Sequence, residues 1–346
     1  MDKITIAVSG INAADNPGPG IGVARSLKKD PDLKTEIVGL AYDAMEPGLY
    51  MDWVVDRSYI MPDPVGESKA YLNRLRYICD TQGLDMVIPN LDAELPFYIN
   101  NSERLGDYGV RTFLPDIKQF RLRAKDRLRG IAKTIGLRVP KTRLVHSPDG
   151  LAGALEAIGL PVMVKGIFYE ALRAETYQEA YAHFNRLAAV WGYPVIIQQI
   201  VAGEHLNVVG VGNGQGKSLG MLGIKKTSLT ALGKIWTGIT VHNEPMLAAA
   251  ERLVKKFGWR GPFELECILC GNDIYLIEIN PRFPAWVYFA TEVGVNLPAR
   301  LLRHCLNVKN SRLPMVDAGK LFVRYSYELV TDLSQFQTLI LQGENP

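Results

Sequence analysis

Short apolar runs alternate with helical stretches over the first hundred residues. Residues 3–9 read as a strand, followed by the loop GINAADNPGPG and a helix from about Ile21 to Lys29. EIVGLAY from Glu36 and DMVIPNL from Asp85 are further apolar strands, the latter with a polar exit. Strands alternating with helices predict a parallel sheet of Rossmann type. Phe120 to Ile135 has a helical period ending at Gly136, and Val139-Pro140-Lys141-Thr142 starts a new unit. There, Pro148-Asp149 opens one helix. The buried strands LPVMVKG, from Leu160, and YPVIIQQIVAG, from Tyr193, flank another over 176–190, giving a small α+β unit. Strands from Leu206, a helix over Glu244–Phe257 and a hairpin follow. The expected division is a Rossmann-like domain over 1–115, a second domain over 116–310 with a subdomain at about 140–204, and an extension over 311–346 packed on the second domain.

The hairpin GPFELECILCGNDIYLIEINPRF, Gly261 to Phe283, carries the most specific chemistry. Gly271, Asn272 and Asp273 are turn residues between two apolar runs. Glu266 lies on the first run; Glu278, Asn280 and Arg282 end the second. Glu278 and Asn280 are two apart on a strand and so share a face. A carboxylate inside YLIEI is costly unless it is paired. Two carboxylates and an amide oxygen are hard ligands that suit Mg²⁺, which keeps waters and shares its shell with phosphates. Glu264 shares a face with Glu266 and competes for the place of first ligand.

Composition narrows the class without naming the chemistry. At 346 residues the chain holds two or three packed units, and 47% hydrophobic with 22% charged residues is ordinary for a globular protein. A net charge of +3 gives no case for nucleic acid, and the basic run Arg121–Arg129 serves a nucleotide's phosphates as well as a polymer's. MDKITIAVSG lacks the pattern of a secretory signal, and no apolar stretch reaches the roughly 18 residues of a membrane helix. Four cysteines form no disulfide framework, which fits a reducing cytoplasm. Cys267 and Cys270 lack the second pair a structural zinc wants. Gly18, Gly20 and Gly22 invite a dinucleotide reading, but the full GxGxxG needs glycine at Val23 or Arg25, and neither is.

IEINPR resembles the metal-binding signature of the ATP-grasp superfamily, which includes carboxylate–amine ligases, the carbamoyl phosphate synthetase large subunit and biotin carboxylase. The resemblance covers roughly residues 1–310. It implies an ATP-grasp fold, α/β and α+β, behind a Rossmann-like domain that binds no dinucleotide, with the 140–204 unit as its lid. It implies ATP and Mg²⁺, with Mn²⁺ as a substitute. The metal ligands fall on Glu266, Glu278 and Asn280, and Arg282 steadies the acyl phosphate. RAKDRLRGIAKTIGLRVPKT is similar to the family's Asp-Lys helix, with the order reversed, and the α-phosphate lysine falls on Lys125, or on Arg123 or Arg127 if the register slips. Lys165, ending an apolar strand, takes the α- and β-phosphates. Gln198-Gln199-Ile200-Val201 matches the adenine hinge, Glu204 or His205 the ribose contact, and Lys225 or Lys226 a basic group near the transferred phosphate. Relatives follow the strand lysine with a glycine-rich flap; IFYEALRAETY has no glycine, and Arg173, or closure by a partner or substrate, is a candidate to stand in for it.

Pro89-Asn-Leu-Asp92-Ala-Glu94 is similar to a pattern in ATP-grasp relatives, and loops at the carboxyl ends of parallel strands collect ligands. Asp92 and Glu94 are therefore substrate candidates; the competing reading makes Asp92 a helix cap with Glu94 in the first turn. Biotin carboxylases carry Glu-His-Pro-Val-Thr-Glu shortly after the arginine, which this chain lacks. Trp286, Tyr288 and Phe289 there suit an organic acceptor better than bicarbonate, although some of these rings are expected in the core. The implied function is a carboxylate–amine ligase acting on a small-molecule or peptide carboxylate and an amine, with a homodimer compatible. A bicarbonate-activating enzyme and a nucleotide-binding regulatory protein are the alternatives.

Overall fold

The computed structural model describes residues 3–125, 127–167 and 170–345. The chain divides into two units: Met1–Arg127 with Leu206–Glu266 and Glu278–Pro346, and Leu128–His205 with Cys267–Ile277. The first unit opens with β1 (Ile4–Ser9), β2 (Thr35–Ala41), β3 (Arg57–Ile60) and β4 (Met86–Ile88), ordered β3-β2-β1-β4 and parallel throughout. This is the expected Rossmann-like sheet. The helix Pro19–Lys29 follows β1 so closely that a Cβ on Gly20 would lie 2.1 Å from the Ser9 carbonyl oxygen. Helix–strand packing, rather than a pyrophosphate, thus accounts for that glycine.

The second unit contains β5 (Thr142–Val145), β6 (Val162–Lys165), β7 (Ala171–Ala174) and β8 (Val195–Gln199), an antiparallel sheet in the order β5-β8-β6-β7. Strand alternation sends Val162, Val164 and Ile197 to one face. They form a core with Leu151, Leu155, Phe184 and Leu187 from the helices Gly150–Ile158 and Tyr177–Trp191. The other face takes Thr142, Met163, Lys165 and Gln198.

The remaining strands are β9 (Glu204–Asn213), β10 (Ser218–Leu229), β11 (Ile235–Thr240), β12 (Arg260–Cys270), β13 (Asp273–Asn280) and β14 (Leu321–Val323), in the order β13-β12-β9-β10-β11-β14. The helix Glu244–Phe257 forms over the expected residues, capped by the Asn243 side chain on Met246 N and closed by left-handed Gly258. Gly271, with φ +59°, turns β12 into β13.

Domain boundaries differ from expectation in three places. The first sheet and the six-stranded sheet share one core, in which Val8, Val23 and Leu27 meet Phe283, Trp286, Val287 and Leu301, so 1–115 is no separate unit. The hairpin tip, Cys267–Ile277, groups with the second unit, as does the helix Leu128–Ile135. The C-terminal segment adds β14 beside β11, but it then returns to the first sheet, where β15 (Glu344–Asn345) pairs antiparallel with β3.

The helix expected over Phe120–Ile135 is broken. A turn of helix at Ile117–Phe120 and a 3₁₀ turn at Arg121–Arg123 precede a fresh start at Leu128. One continuous helix would stack Arg121 on Lys125, Arg123 on Arg127 and Lys125 on Arg129, and like charges four apart repel. Lys125 therefore lies in a turn rather than on a helix. Asp126, its neighbour in the motif, lies outside the described residues.

Candidate functional site

In the first unit, β12 and β13 place Glu264, Glu266, Glu278 and Asn280 together. Asn280 is buried and its Nδ2 donates to Glu264 Oε2 and Glu266 Oε1, both at 3.0 Å. Two carboxylate acceptors settle which end of the amide is nitrogen. Its Oδ1 accepts no hydrogen bond among the described residues. Glu266 Oε2 accepts from Lys226 Nζ at 2.8 Å. Glu264, only 4% exposed, accepts at Oε1 from Asn207 Nδ2 (2.6 Å) and Trp286 Nε1 (2.8 Å).

The charges are unequal in environment. Burial, then the negative charge of Glu266, raises the pKa of Glu264 above the ordinary carboxylate value. Glu278 moves the same way for the same reasons, with Lys125 and Arg282 offsetting part of the effect. Glu266 is also penalised by burial, but Lys226, Arg282 and the Asn280 amide outweigh that and lower its pKa. Burial works against the charge of Lys226, yet Glu266 and Glu264 hold its pKa above the usual lysine range. Lys125 is lowered, chiefly by burial, with Glu278 partly restoring it. Crowded carboxylates that resist ionisation and an unused amide oxygen fit a hard cation with oxygen ligands. Among the described residues no group of three or more His, Cys, Asp or Glu side chains is arranged to hold a metal. The oxygen-bearing side chains gathered here are the Glu264, Glu266 and Glu278 carboxylates and the Asn280 amide.

Of the two candidate lysines on β10, Lys226 is the one beside the carboxylates. Lys225 stands opposite Leu206, while Ile224 stands opposite Asn207, so alternation puts Lys225 on the other face.

Asp92 joins two arginines. Its Oδ2 accepts from Arg282 Nε at 2.8 Å, and its Oδ1 accepts from Arg123 Nη1. Burial works against the Asp92 charge, but Arg282 and Arg123 more than compensate and lower its pKa. Arg282 responds reciprocally: its own burial is outweighed by Asp92 and Glu264, and its pKa is raised. Arg282 Nη1 donates to the Phe283 carbonyl at 3.3 Å, and Nη2 has no hydrogen-bond partner among the described residues. Asp92 is thus neither the expected helix cap nor a free substrate ligand. Replacing Asp92 by Ala leaves two half-buried guanidinium groups without their shared anion. The expected loss of stability is about 3 kcal/mol, read from denaturant unfolding, and an unchanged midpoint would contradict it.

Two other substrate candidates turn out to be fixed by the fold. Glu94 is fully buried; Oε1 accepts from Ser9 Oγ and the amides of Asn90 and Leu91, and Oε2 from Tyr42 OH at 2.6 Å. It braces the loop after β4. Trp286 is 3% exposed and belongs to the core, with its N–H committed to Glu264. Phe289 is likewise in the core, and Tyr288 lies under the Arg25 guanidinium, 3.7 Å from its ring centre. The expected aromatic acceptor pocket does not form from these residues, because the short helix Val287–Glu292 packs against Pro19–Lys29.

In the second unit, Lys165 Nζ donates to Gln198 Oε1 at 2.6 Å, and Gln198 Nε2 donates to Thr142 Oγ1 at 3.1 Å. Gln198 therefore serves the lysine. Gln199 exchanges hydrogen bonds with Lys141: its amide donates to the Lys141 carbonyl and its Oε1 accepts from the Lys141 amide. β8 is an interior strand, so the expected strand edge for adenine is absent through Gln199. The backbone leaves the ladder at Ile200 and Val201. Glu204 and His205 begin β9, both exposed, and adjacent strand positions point them to opposite faces.

Lys165 pairs with Ala171, and Gly166 N donates to the Glu170 carbonyl. Glu170, at φ +65°, accepts from Arg186 and Trp191 of the following helix. Phe168 and Tyr169, in the expected flap, lie outside the described residues. Arg173 shares the Lys165 face but pairs with Glu175 at 2.6 Å. Sequence reading missed Asn207 and Thr142. An asparagine at an inward position of the apolar run HLNVVGVG was the available signal for the first; for Thr142 there was none.

The ATP-grasp domain family matches residues 170–285. Acetyl-CoA carboxylase of Dictyostelium discoideum is 25% identical over 208 residues, which cover 54% of this chain and 9% of that protein. The chain therefore spans under a tenth of that relative's length. Biotin carboxylase from Campylobacter jejuni, solved as a β,γ-ATP complex, superposes with a TM-score of 0.68 at 14% identity, covering 92% of this chain and 74% of that one. The L-amino acid ligase from Bacillus licheniformis gives 0.65 at 17% identity, covering 88% and 74%. At these identities the structures establish the fold. Residues 170–285 match the ATP-grasp domain family, and the superpositions show the ATP-grasp fold over about nine-tenths of the chain.

Proposed function

We propose that this chain is an ATP- and Mg²⁺-dependent ligase that activates a carboxylate as an acyl phosphate for attack by an amine, giving an amide or peptide bond. The observation that carries this is the cluster in the first unit: two carboxylates and an amide oxygen beside an arginine whose Nη2 remains available. Glu266, Glu278 and Asn280 would hold the metal, which would supply charge neutralisation on the phosphates. Lys226, kept protonated by its carboxylate neighbours, is the cation that can follow the transferred phosphate. Arg282, anchored through Nε, presents its outer fork to a carboxylate or acyl phosphate. In the second unit, Lys165 is the phosphate-binding cation, and Ile200–Val201 offer backbone groups to the base.

The second reading is a bicarbonate-activating enzyme, favoured by the likeness to acetyl-CoA carboxylase and biotin carboxylase. The residues after Arg282, Phe283-Pro-Ala-Trp, lack the Glu-His-Pro-Val-Thr-Glu stretch that biotin carboxylases carry there. ADP release against a panel of amino acids and other amines, with and without bicarbonate, separates the readings. Release that needs bicarbonate and ignores every amine overturns the amide-ligase reading; ATP binding without release under any condition leaves a nucleotide-binding protein.

Lys165→Ala tests the nucleotide assignment by itself. ATP affinity should fall by about 1.5–3 kcal/mol while adenosine affinity holds, because the lost contact is charge-assisted and made to a phosphate. Calorimetry showing equal losses for both ligands would remove Lys165 from the phosphate site.

A further inference from the structure

We infer that Glu264 is no metal ligand but the positioning residue that sets the Asn280 amide, turning its oxygen to the cation. The inference rests on the metal-dependent ligase reading above. Both Glu264 oxygens are engaged: Oε1 by Asn207 and Trp286, Oε2 by Asn280. The donors come from β9, β13 and the turn after it, so the carboxylate is held from three directions. Asn207 is 1% exposed and its Oδ1 has no hydrogen-bond partner among the described residues, which fits a side chain placed for its Nδ2 bond. Glu266 differs in kind. Each of its oxygens accepts one hydrogen bond, from Asn280 or Lys226, and the residue is more open than Glu264.

Asn280 is a weak ligand unless its amide is oriented. Its two ends are nearly the same size, and an amide turned the wrong way would present N–H₂ to a cation. Carboxylates on the nitrogen side exclude that orientation. Glu264 supplies the fully buried half of this restraint, and it remains when Glu266 rotates to meet a metal.

Glu264→Gln keeps the volume but brings an N–H₂ group into a place lined by donors on both sides. Whichever way the new amide turns, it opposes Asn207 and Trp286 or opposes Asn280. Mn²⁺ titrated into the full chain with a non-hydrolysable ATP analogue, followed by electron paramagnetic resonance, reads the consequence. The expected fall in Mn²⁺ affinity is about tenfold or more, as for other groups that orient metal ligands. Affinity for the analogue without metal should stay constant. In an Asn280→Ala background the Glu264→Gln effect should vanish, because its route is gone. If Glu264→Gln does not fold, Trp286→Phe removes one donor to Glu264 and should lower Mn²⁺ affinity about threefold, a fraction of the cost of an orienting group.

An undiminished affinity in Glu264→Gln overturns the inference, and so does an equal loss with and without Asn280, which would make Glu264 a ligand itself. Wild type that binds the analogue but no Mn²⁺ overturns the ligase reading as well, so the two failures are distinguishable.

Discussion

Glu278→Gln should abolish ATP turnover and leave the fold as stable as before, or more so. The pKa of the Glu278 carboxyl is raised, first by burial and then by the charge of Glu266, with Asp92 adding to the effect and Lys125 and Arg282 opposing it. The sign follows from linkage. A carboxyl group whose pKa is higher in the folded chain than in the unfolded one makes folding less favourable as pH rises through that range. Above the ordinary carboxylate pKa, Glu278 is therefore a cost to stability, which a neutral glutamine of the same shape removes. The same change deletes an anionic oxygen from the proposed metal site, whose other ligands are one carboxylate and an amide. Thermal unfolding at neutral pH should give a Tm equal to or above wild type, while ADP release with saturating Mg²⁺ falls to background. Activity near wild type would remove Glu278 from the metal site. A markedly lower Tm would mean that its pairing with Lys125 and Arg282 outweighs the crowding. Stability held back for the sake of a charged site is a common pattern in enzymes.

The hairpin was legible because its signals are local. Strand alternation, a glycine turn and the two-residue spacing of Glu278 and Asn280 fix one face without knowledge of the rest of the chain. The parallel sheet and the helix Glu244–Phe257 were legible for the same reason. Lys125 was misplaced on a helix because periodicity was read without the like-charge spacing that interrupts it. Non-local partners were out of reach. Asp92 meets Arg282 across 190 positions and Glu94 meets Ser9 across 85, so neither role could be read from a loop sequence alone. Which lysine of β10 lies beside the carboxylates depends on the neighbouring strand: Asn207, fixed opposite Ile224 by register, marks the side of β10 that carries Lys226. Trp286 was read as a pocket residue because exposure of an aromatic depends on which helix packs over it. Here the helix that Trp286 precedes, Val287–Glu292, packs against Pro19–Lys29, from the far end of the sequence.

Arg282→Ala should spare ATP affinity and stop product formation. Its guanidinium is committed at Nε to Asp92, which also holds Arg123, so the alanine variant leaves Asp92 with one partner rather than none. That makes the change milder for the fold than loss of Asp92. The remaining function of Arg282 lies on the side of the guanidinium turned away from Asp92. In the proposed reaction, charge moves from the nucleotide onto the carboxylate substrate as the phosphoryl group is transferred, and a donor there is most valuable in the transition state. Removal of such a donor typically costs about 10²–10³ in rate. Steady-state kinetics measured beside ATP affinity separates the outcomes. A turnover number reduced by that factor with unchanged ATP affinity supports the assignment. A loss confined to ATP affinity, with turnover intact, would make Arg282 a nucleotide ligand and move the carboxylate subsite elsewhere. The comparison is clean only if Arg123→Gln, which also takes one arginine from Asp92 but leaves the Arg282 guanidinium anchored, keeps far more turnover than Arg282→Ala. Equal losses in the two variants would show that the Asp92 clamp as a whole, rather than the open side of Arg282, is what turnover depends on.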